Sequence, residues 1–269
     1  MPNLPTIFRK IFGLEAVFKL GGKKTVFVVS CEHAGNEIPK EYQKYFKPYQ
    51  KLLETHNSLD LGAKKLAQKI AGAFDAPLFL NTISRLLIDV DCSLHNKPYL
   101  FFAPSDAGSE EKTNQFKESF KDFPETEKEL IIKNIYEKHR HNLEKQINGE
   151  IKKGRGIFHL MVHSFTPIYK GEERNADLGL LYNPSLPDEA EFCQKWQKIL
   201  TELDPNLKVR LNYPYTGAED GLTTNLRRQF DEKYLGVEIE VNQKWPLGKK
   251  KEWRKLQKII VKSLKILLK

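Results

Sequence analysis

A chain of 269 residues, 40% hydrophobic and 29% charged, has enough apolar material for one large core, and no apolar run approaches the ~18 residues of a membrane-spanning helix. The formal net charge is +9, but Lys and Arg are spread along the chain, which argues for a lysine-rich solvated surface and against a nucleic-acid partner. Cys31, Cys92 and Cys193 are odd in number and lack CxxC spacing, which argues against a disulfide framework and for a reducing, cytoplasmic compartment.

From the N-terminus, residues 1–22 carry scattered charge and no clean apolar stretch before a small-residue cleavage site. They are read as an N-terminal extension and not as a signal peptide. Apolar runs bounded by turn formers place strands at 25–30, 77–80 and 85–90, with a helix over 60–74. The polar stretch 103–128, with Pro104 and Gly108, reads as an excursion that carries a helix at 110–121 and runs into another at 125–150. Strands follow at 157–162, 178–182, 208–212 and 235–241, with helices at 187–203 and 222–233. A last helix, 252–268, sets Trp253, Leu256, Ile260, Leu264 and Leu267 on one face, behind the basic run 249–255. Such a stripe docks on a core; a membrane-surface helix is the other reading. Strands alternating with helices, without a dividing linker, specify one α/β domain over 1–269 with a mostly parallel sheet and a basic C-terminal helix at 250–269.

In such sheets the sites lie outside the carboxyl ends of the strands. His33, Arg85, Asp89, Asp91, His163, Asn212, Glu238 and Glu240 stand at or near those ends. His33 and His163 each follow an apolar strand, in Val28-Val29-Ser30-Cys31-Glu32-His33 and Leu160-Met161-Val162-His163. A catalytic zinc takes three protein ligands and leaves one position open, so the two histidines supply two ligands of a hydrolytic metal site. The third is open between Asp60, which could instead cap the following helix, and Glu37 or His56. Glu238 and Glu240 share one face of their strand, which is either a solvated edge or a wet cleft holding a general base. Arg85 and Arg174 suit a substrate carboxylate, or pair internally as Arg174 with Asp177. The loop 212–221 is dense in turn formers and aromatics and could wall a pocket; its Asp220 could equally cap a helix. Cys31 and Cys92 have no activating neighbours in the sequence and are not read as nucleophiles.

Six motifs in order resemble the N-formylglutamate amidohydrolase family. They are Ser30-Cys31-Glu32-His33-Ala34-Gly35-Asn36-Glu37-Ile38-Pro39; His56 with Asp60-Leu61-Gly62-Ala63; Ser84-Arg85-Leu86-Leu87-Ile88-Asp89; His163-Ser164-Phe165-Thr166-Pro167 with Gly171, Arg174 and Asp177; Asn212-Tyr213-Pro214-Tyr215 with Gly217 and Asp220; and Glu240 with Gln243. The resemblance covers about residues 25–245. It implies a fold like the zinc carboxypeptidases and aspartoacylases: one domain with a mixed, mainly parallel sheet sandwiched by helices. It also implies metal-dependent hydrolysis of a linear amide in a small-molecule substrate, as in the release of formate from N-formyl-L-glutamate. Carried over, His33 and His163 would hold Zn2+, and Glu240 would be the base. Arg85, Arg174, Asn212 and Asp220 would bind substrate. The glutamate that a carboxypeptidase-like pattern has three residues after the first histidine is Asn36 here, so Asp60 is taken as third ligand. The family pattern Asp-x-Asn-Arg-Ser-Leu reads Asp89-Val90-Asp91-Cys92-Ser93-Leu94 in this chain. That departure implies either a different substrate or a weakened member that binds a ligand or partner, unless Arg85, Arg174 or Arg140 compensates.

Overall fold

The computed structural model describes residues 17–20, 22–96, 100–102 and 110–269. Most of the expected N-terminal extension, and residues 103–109 of the expected excursion, lie outside the described residues.

The strands are β1 (Val17–Leu20), β2 (Lys23–Cys31), β3 (Leu78–Leu80), β4 (Gly156–Phe165), β5 (Ile168–Tyr169), β6 (Glu172–Glu173), β7 (Leu178–Leu181), β8 (Val209–Leu211) and β9 (Tyr234–Asn242). Seven of them form one sheet in the order β1-β2-β4-β9-β7-β8, with β3 also paired to β2. The ladders β2–β3, β2–β4, β4–β9 and β7–β8 are parallel; β1–β2 and β7–β9 are antiparallel. β5 and β6 form a separate two-stranded hairpin. This is a single-domain α/β fold with a mixed, mostly parallel sheet flanked by helices.

Alternation along the strands sorts the core into two faces. Phe27 and Val29 of β2, Phe158, Leu160 and Val162 of β4, and Val237, Ile239 and Val241 of β9 pack on helices Ala63–Phe74, Pro187–Leu203 and Lys250–Leu267. Val26, Val28, Ile157 and Met161 pack on helices Glu137–Ile151 and Leu222–Phe230. Each fully buried aromatic or aliphatic side chain contributes roughly 1.5–3 kcal/mol of transfer free energy. A third cluster joins Phe46, Phe116, Phe120 and Phe123 to Leu86, Leu87 and Ile88.

That cluster explains the one expected strand that does not form. The segment 85–90 is an irregular buried loop, with Leu86, Leu87, Ile88 and Val90 fully buried. A continuous apolar run does not distinguish a buried strand from a buried loop. Here no strand pairs with it: Leu87 N–H donates to Ser84 O, Asp89 N–H to Leu100 O, and Arg85 N–H to Ser58 O. The helix expected over 60–74 starts at Ala63, with Gly62 at φ +85° in the N-cap position and no side-chain cap. The one expected at 125–150 is interrupted by a π-helical turn, Ile132–Tyr136. Among the described residues, no helix is long and apolar enough to cross a membrane.

The C-terminal helix Lys250–Leu267 buries Trp253, Leu256, Ile260 and Leu264 against the sheet. Ile260→Ala is therefore expected to lower unfolding free energy by about 2–5 kcal/mol in urea titrations; a loss below about 1 kcal/mol would mean that the helix is not docked. A second expectation concerns acid. His159 is fully buried between Ser30 Oγ, 2.7 Å from Nε2, and Tyr234 Oη, 2.6 Å from Nδ1. Burial, aided by His139 and Arg227 and opposed by Glu32, lowers its pKa to about 4. The unfolded chain, with a histidine near 6.5, then binds the extra proton first. Stability from this group is complete above about pH 6.5 and falls by up to about 3 kcal/mol as pH drops toward 4. His159→Asn should flatten that part of the pH–stability curve, and an unchanged slope would refute the assignment.

Candidate active site

Three parallel strands, β2, β4 and β9, end side by side, and the register puts His163 of β4 beside Glu240 of β9 and Met161 beside Glu238. Glu238 and Glu240 are thus on a central strand between β4 and β7, which removes the solvated-edge reading. They share the sheet face of His159 and His163 by alternation. Opposite Glu240, β7 carries Gly179, and a Cβ there would lie 1.7 Å from Tyr213 O.

A cavity of about 220 Å³ opens over these strand ends, and His33, His163, Asp60, Arg85, Arg174 and Glu240 are among the residues lining it. His33 and His163 meet at 5.1 Å between ring centroids. Asp60 Oδ2 accepts from the Ser164 N–H at 3.1 Å and stands 2.9 Å from His163 Nδ1 and 3.6 Å from His33 Nδ1. Asp60 is therefore turned into the site and does not cap the helix after it. His33 Nε2 lies 2.8 Å from Asp89 Oδ1, and Arg85 donates to Asp89 Oδ2 at 2.9 Å. Arg85 also reaches Asp60 Oδ1 at 3.9 Å.

His33, Asp60 and His163 bring one donor atom each within 4.8 Å of one another, the one such group among the described residues. Glu37, the alternative third ligand, instead accepts from Thr82 Oγ1 at 2.9 Å; His56 lines the cavity outside the group. His33 Nδ1 is buried with no hydrogen-bond partner and lies 3.6 Å from Asp60 Oδ2. Two imidazoles and a carboxylate are also the donor chemistry of zinc.

Electrostatics point the same way. Burial and Arg85 oppose a charge on His33, yet Asp89 and Asp60 lift it to about 9. Burial is likewise overridden at His163, which Asp60, Glu240 and Asp91 raise well above the usual imidazole range. Burial, with repulsion from Asp60 and Glu238, pushes Glu240 up to about 8; burial and Asp91 push Glu238 to about 7. So many carboxylates are gathered here that their neighbours retain protons. A divalent cation supplies the same positive charge at one point.

The remaining expected residues divide. Arg174 lines the cavity, donates to Thr166 Oγ1 at 3.3 Å and Tyr215 Oη at 3.2 Å, and stacks 4.4 Å from the Tyr169 ring centroid. Its expected internal partner Asp177 instead binds Lys244 and Trp245. Asn212 is not among the lining residues: its Oδ1 accepts from Tyr182 and Gly217 N–H groups and braces the loop. Asp220 touches the cavity, but its Oδ2 accepts from Ser93 N–H and Asn96 Nδ2. It does not cap the helix Leu222–Phe230; Asp91 Oδ1 does, from the Leu222 N–H at 2.8 Å. Cys92 is turned toward Asp220 and away from the cavity lining. Arg140 is held by the carbonyls of Val90, Asp91 and Cys92 and does not line the cavity either.

Glu32 was not singled out by the sequence reading. It is fully buried, with Oε1 3.1 Å from His139 Nε2 and Oε2 3.8 Å from His163 Nε2. Burial works against its charge, but the His139 hydrogen bond and the nearby imidazoles hold it at about 2. A signal was present: Glu32 continues the alternating set Val26, Val28, Ser30 on an interior strand, the pattern that marked Glu238 and Glu240.

Two solved structures share this fold. A gene product from Agrobacterium tumefaciens, Atu2144, aligns with a TM-score of 0.72 at 23% identity, covering 90% of this chain and 92% of its own. An N-formylglutamate amidohydrolase from Ralstonia eutropha aligns with a TM-score of 0.61 at 16% identity, with the same coverage, 90% and 92%. No curated protein matches the sequence. Residues 25–245 match the N-formylglutamate amidohydrolase family, the span on which every cavity-lining group lies, and the chain belongs to that family.

Proposed function

We propose that this protein is a zinc-dependent amidohydrolase that cleaves an N-acyl amino acid or a similar small amide. The observation that carries the reading is the meeting of His33, Asp60 and His163 with Glu240, whose buried Oε2 has no hydrogen-bond partner and borders the same cavity. His33, His163 and Asp60 would hold the metal; when bound, zinc supplies a Lewis acid that activates water and polarises the amide carbonyl.

The protein's own groups do the rest. Glu240 Oε2 accepts the proton of the attacking water and returns it to the departing nitrogen, the role of a positioned general base turned acid. Its burial keeps competing solvent off that oxygen and raises its proton affinity toward neutral pH. Arg85 is committed to Asp89 and Asp60, so it secures carboxylates of the metal site. Arg174, propped by Thr166, Tyr169 and Tyr215, is the freer guanidinium and fits a substrate carboxylate. A cavity of about 220 Å³ suits a ligand of amino-acid size.

A second reading, ligand binding with little turnover, is favoured by the charge of one wall. Asp91 and Glu238 both line the cavity, and Asp91 adds to the burial that raises the proton affinity of Glu238, an unfavourable surface for an acidic substrate. Formate or carboxylate release from a panel of N-formyl and N-acyl amino acids separates the two: turnover supports hydrolysis, and saturable binding without release supports the second.

Two substitutions test the roles. Glu240→Gln is expected to lower kcat by about 10²–10⁴ while zinc content by mass spectrometry stays at the wild-type value; wild-type turnover would remove Glu240 as base. Arg174→Ala is expected to raise KM about 10- to 100-fold for carboxylate-bearing substrates, the equivalent of about 1.5–3 kcal/mol for a charge-assisted bond. A neutral amide of the same size should show little change, and an equal loss on both would refute the carboxylate contact.

A further inference from the structure

We propose that Glu32 and His139 are positioning residues for His163: a buried carboxylate–imidazole strut that fixes the ring so that Nδ1 faces Asp60. The inference rests on the metal reading above. Glu32 is 0% exposed, immediately precedes His33, and sits where β2 ends beside β4. Its Oε1 is 3.1 Å from His139 Nε2, on the helix Glu137–Ile151 that covers this face of the sheet. Its Oε2 points at His163 Nε2 across 3.8 Å, and neither of those two atoms has a hydrogen-bond partner.

A carboxylate buried this completely costs several kcal/mol unless it is neutralised. The side chains set against its two oxygens are His139 and His163. A hydrophobic core has no use for such a group, but a ligating imidazole does. Metal-binding histidines commonly give their second ring N–H to a carboxylate, which sets the tautomer and the ring angle. The two histidines here have parallel supports. His33 turns Nε2 to Asp89, which Arg85 holds from behind. His163 turns Nε2 to Glu32, which His139 holds from behind. Both rings thereby turn their Nδ1 atoms toward Asp60 Oδ2, at 3.6 Å and 2.9 Å.

The test is zinc affinity of the full-length apo-protein, read by competition with a chromophoric chelator. His139→Leu and Glu32→Gln are each expected to weaken zinc binding about 10- to 100-fold. His139→Gln keeps an N–H for Glu32 and should recover part of that loss, which a purely structural role would not produce. Circular dichroism of the apo forms checks folding; should His139→Leu fail to fold, the near-isosteric Glu32→Gln carries the comparison. Folded variants that bind zinc within about twofold of wild type would overturn the strut alone. A wild-type protein that takes up no zinc would overturn the metal reading and the strut with it.

Discussion

Negative charge at the ends of the central strands is the constraint around which this molecule is arranged. Glu32, Asp60, Asp89 and Glu240 are all nearly or fully buried, and Arg85 is the guanidinium that pairs with two of them. Charges out of water are tolerated only when opposite charge or hydrogen bonds surround them. Histidines answer most of that demand here: His33 between Asp60 and Asp89, His163 between Asp60 and Glu32, His139 against Glu32. Each is an imidazole, whose two ring nitrogens can face carboxylates on two sides. A fold that needed only stability would fill the same space with apolar residues.

Topology explains how the groups converge. β4 lies between β2 and β9 and runs parallel to both, so three carboxyl ends open together. The pairing His163 with Glu240 is then a matter of register: a one-residue slip of β9 would turn Val241 to the cavity and Glu240 to the apolar face. The antiparallel entry of β7 completes the wall, and Gly179 lets the Tyr213 carbonyl come close beside Glu240. Asp60 arrives from a loop instead of a strand. Gly62, at φ +85°, allows the chain to turn into its helix right after Asp60 has entered the site.

Much of this was legible in the chain. Strands at 25–30, 157–162 and 235–241, and the helix at 187–203, have clear periodicity and boundaries and stand where expected. That His33, His163 and Glu240 would gather was readable because a polar group at the end of an apolar strand has few structural uses. Three kinds of information were less accessible. The run 85–90 is apolar because the loop is buried, and burial without a pairing partner leaves no periodic trace. The contact of Glu32 with His139 joins residues 107 positions apart. Asp60 and Asp220 were ambiguous between cap and site, and the structure resolves each differently: Asp60 enters the site and Asp220 ties two loops together, while the cap comes from Asp91 in a distant loop.

Asp220 joins two loops beside the cavity. Position 92 is a cysteine whose sulfur faces Asp220 at 3.9 Å, inside the junction of the loops 89–96 and 212–221. Asp91, one residue earlier, does face the cavity while its Oδ1 holds the Leu222 N–H. Replacing an amide by a carboxylate there adds the favourable attraction of a helix N-terminus and, in the same move, adds negative charge to the wall above Glu238. The two effects have opposite consequences: the first stabilises the loop junction, the second disfavours an anionic substrate group on that side. Arg174 lines the same cavity among Thr166, Tyr169 and Tyr215. Beyond the His33–Asp60–His163 cluster, the cavity lining thus carries an acidic group at Asp91 and a basic one at Arg174.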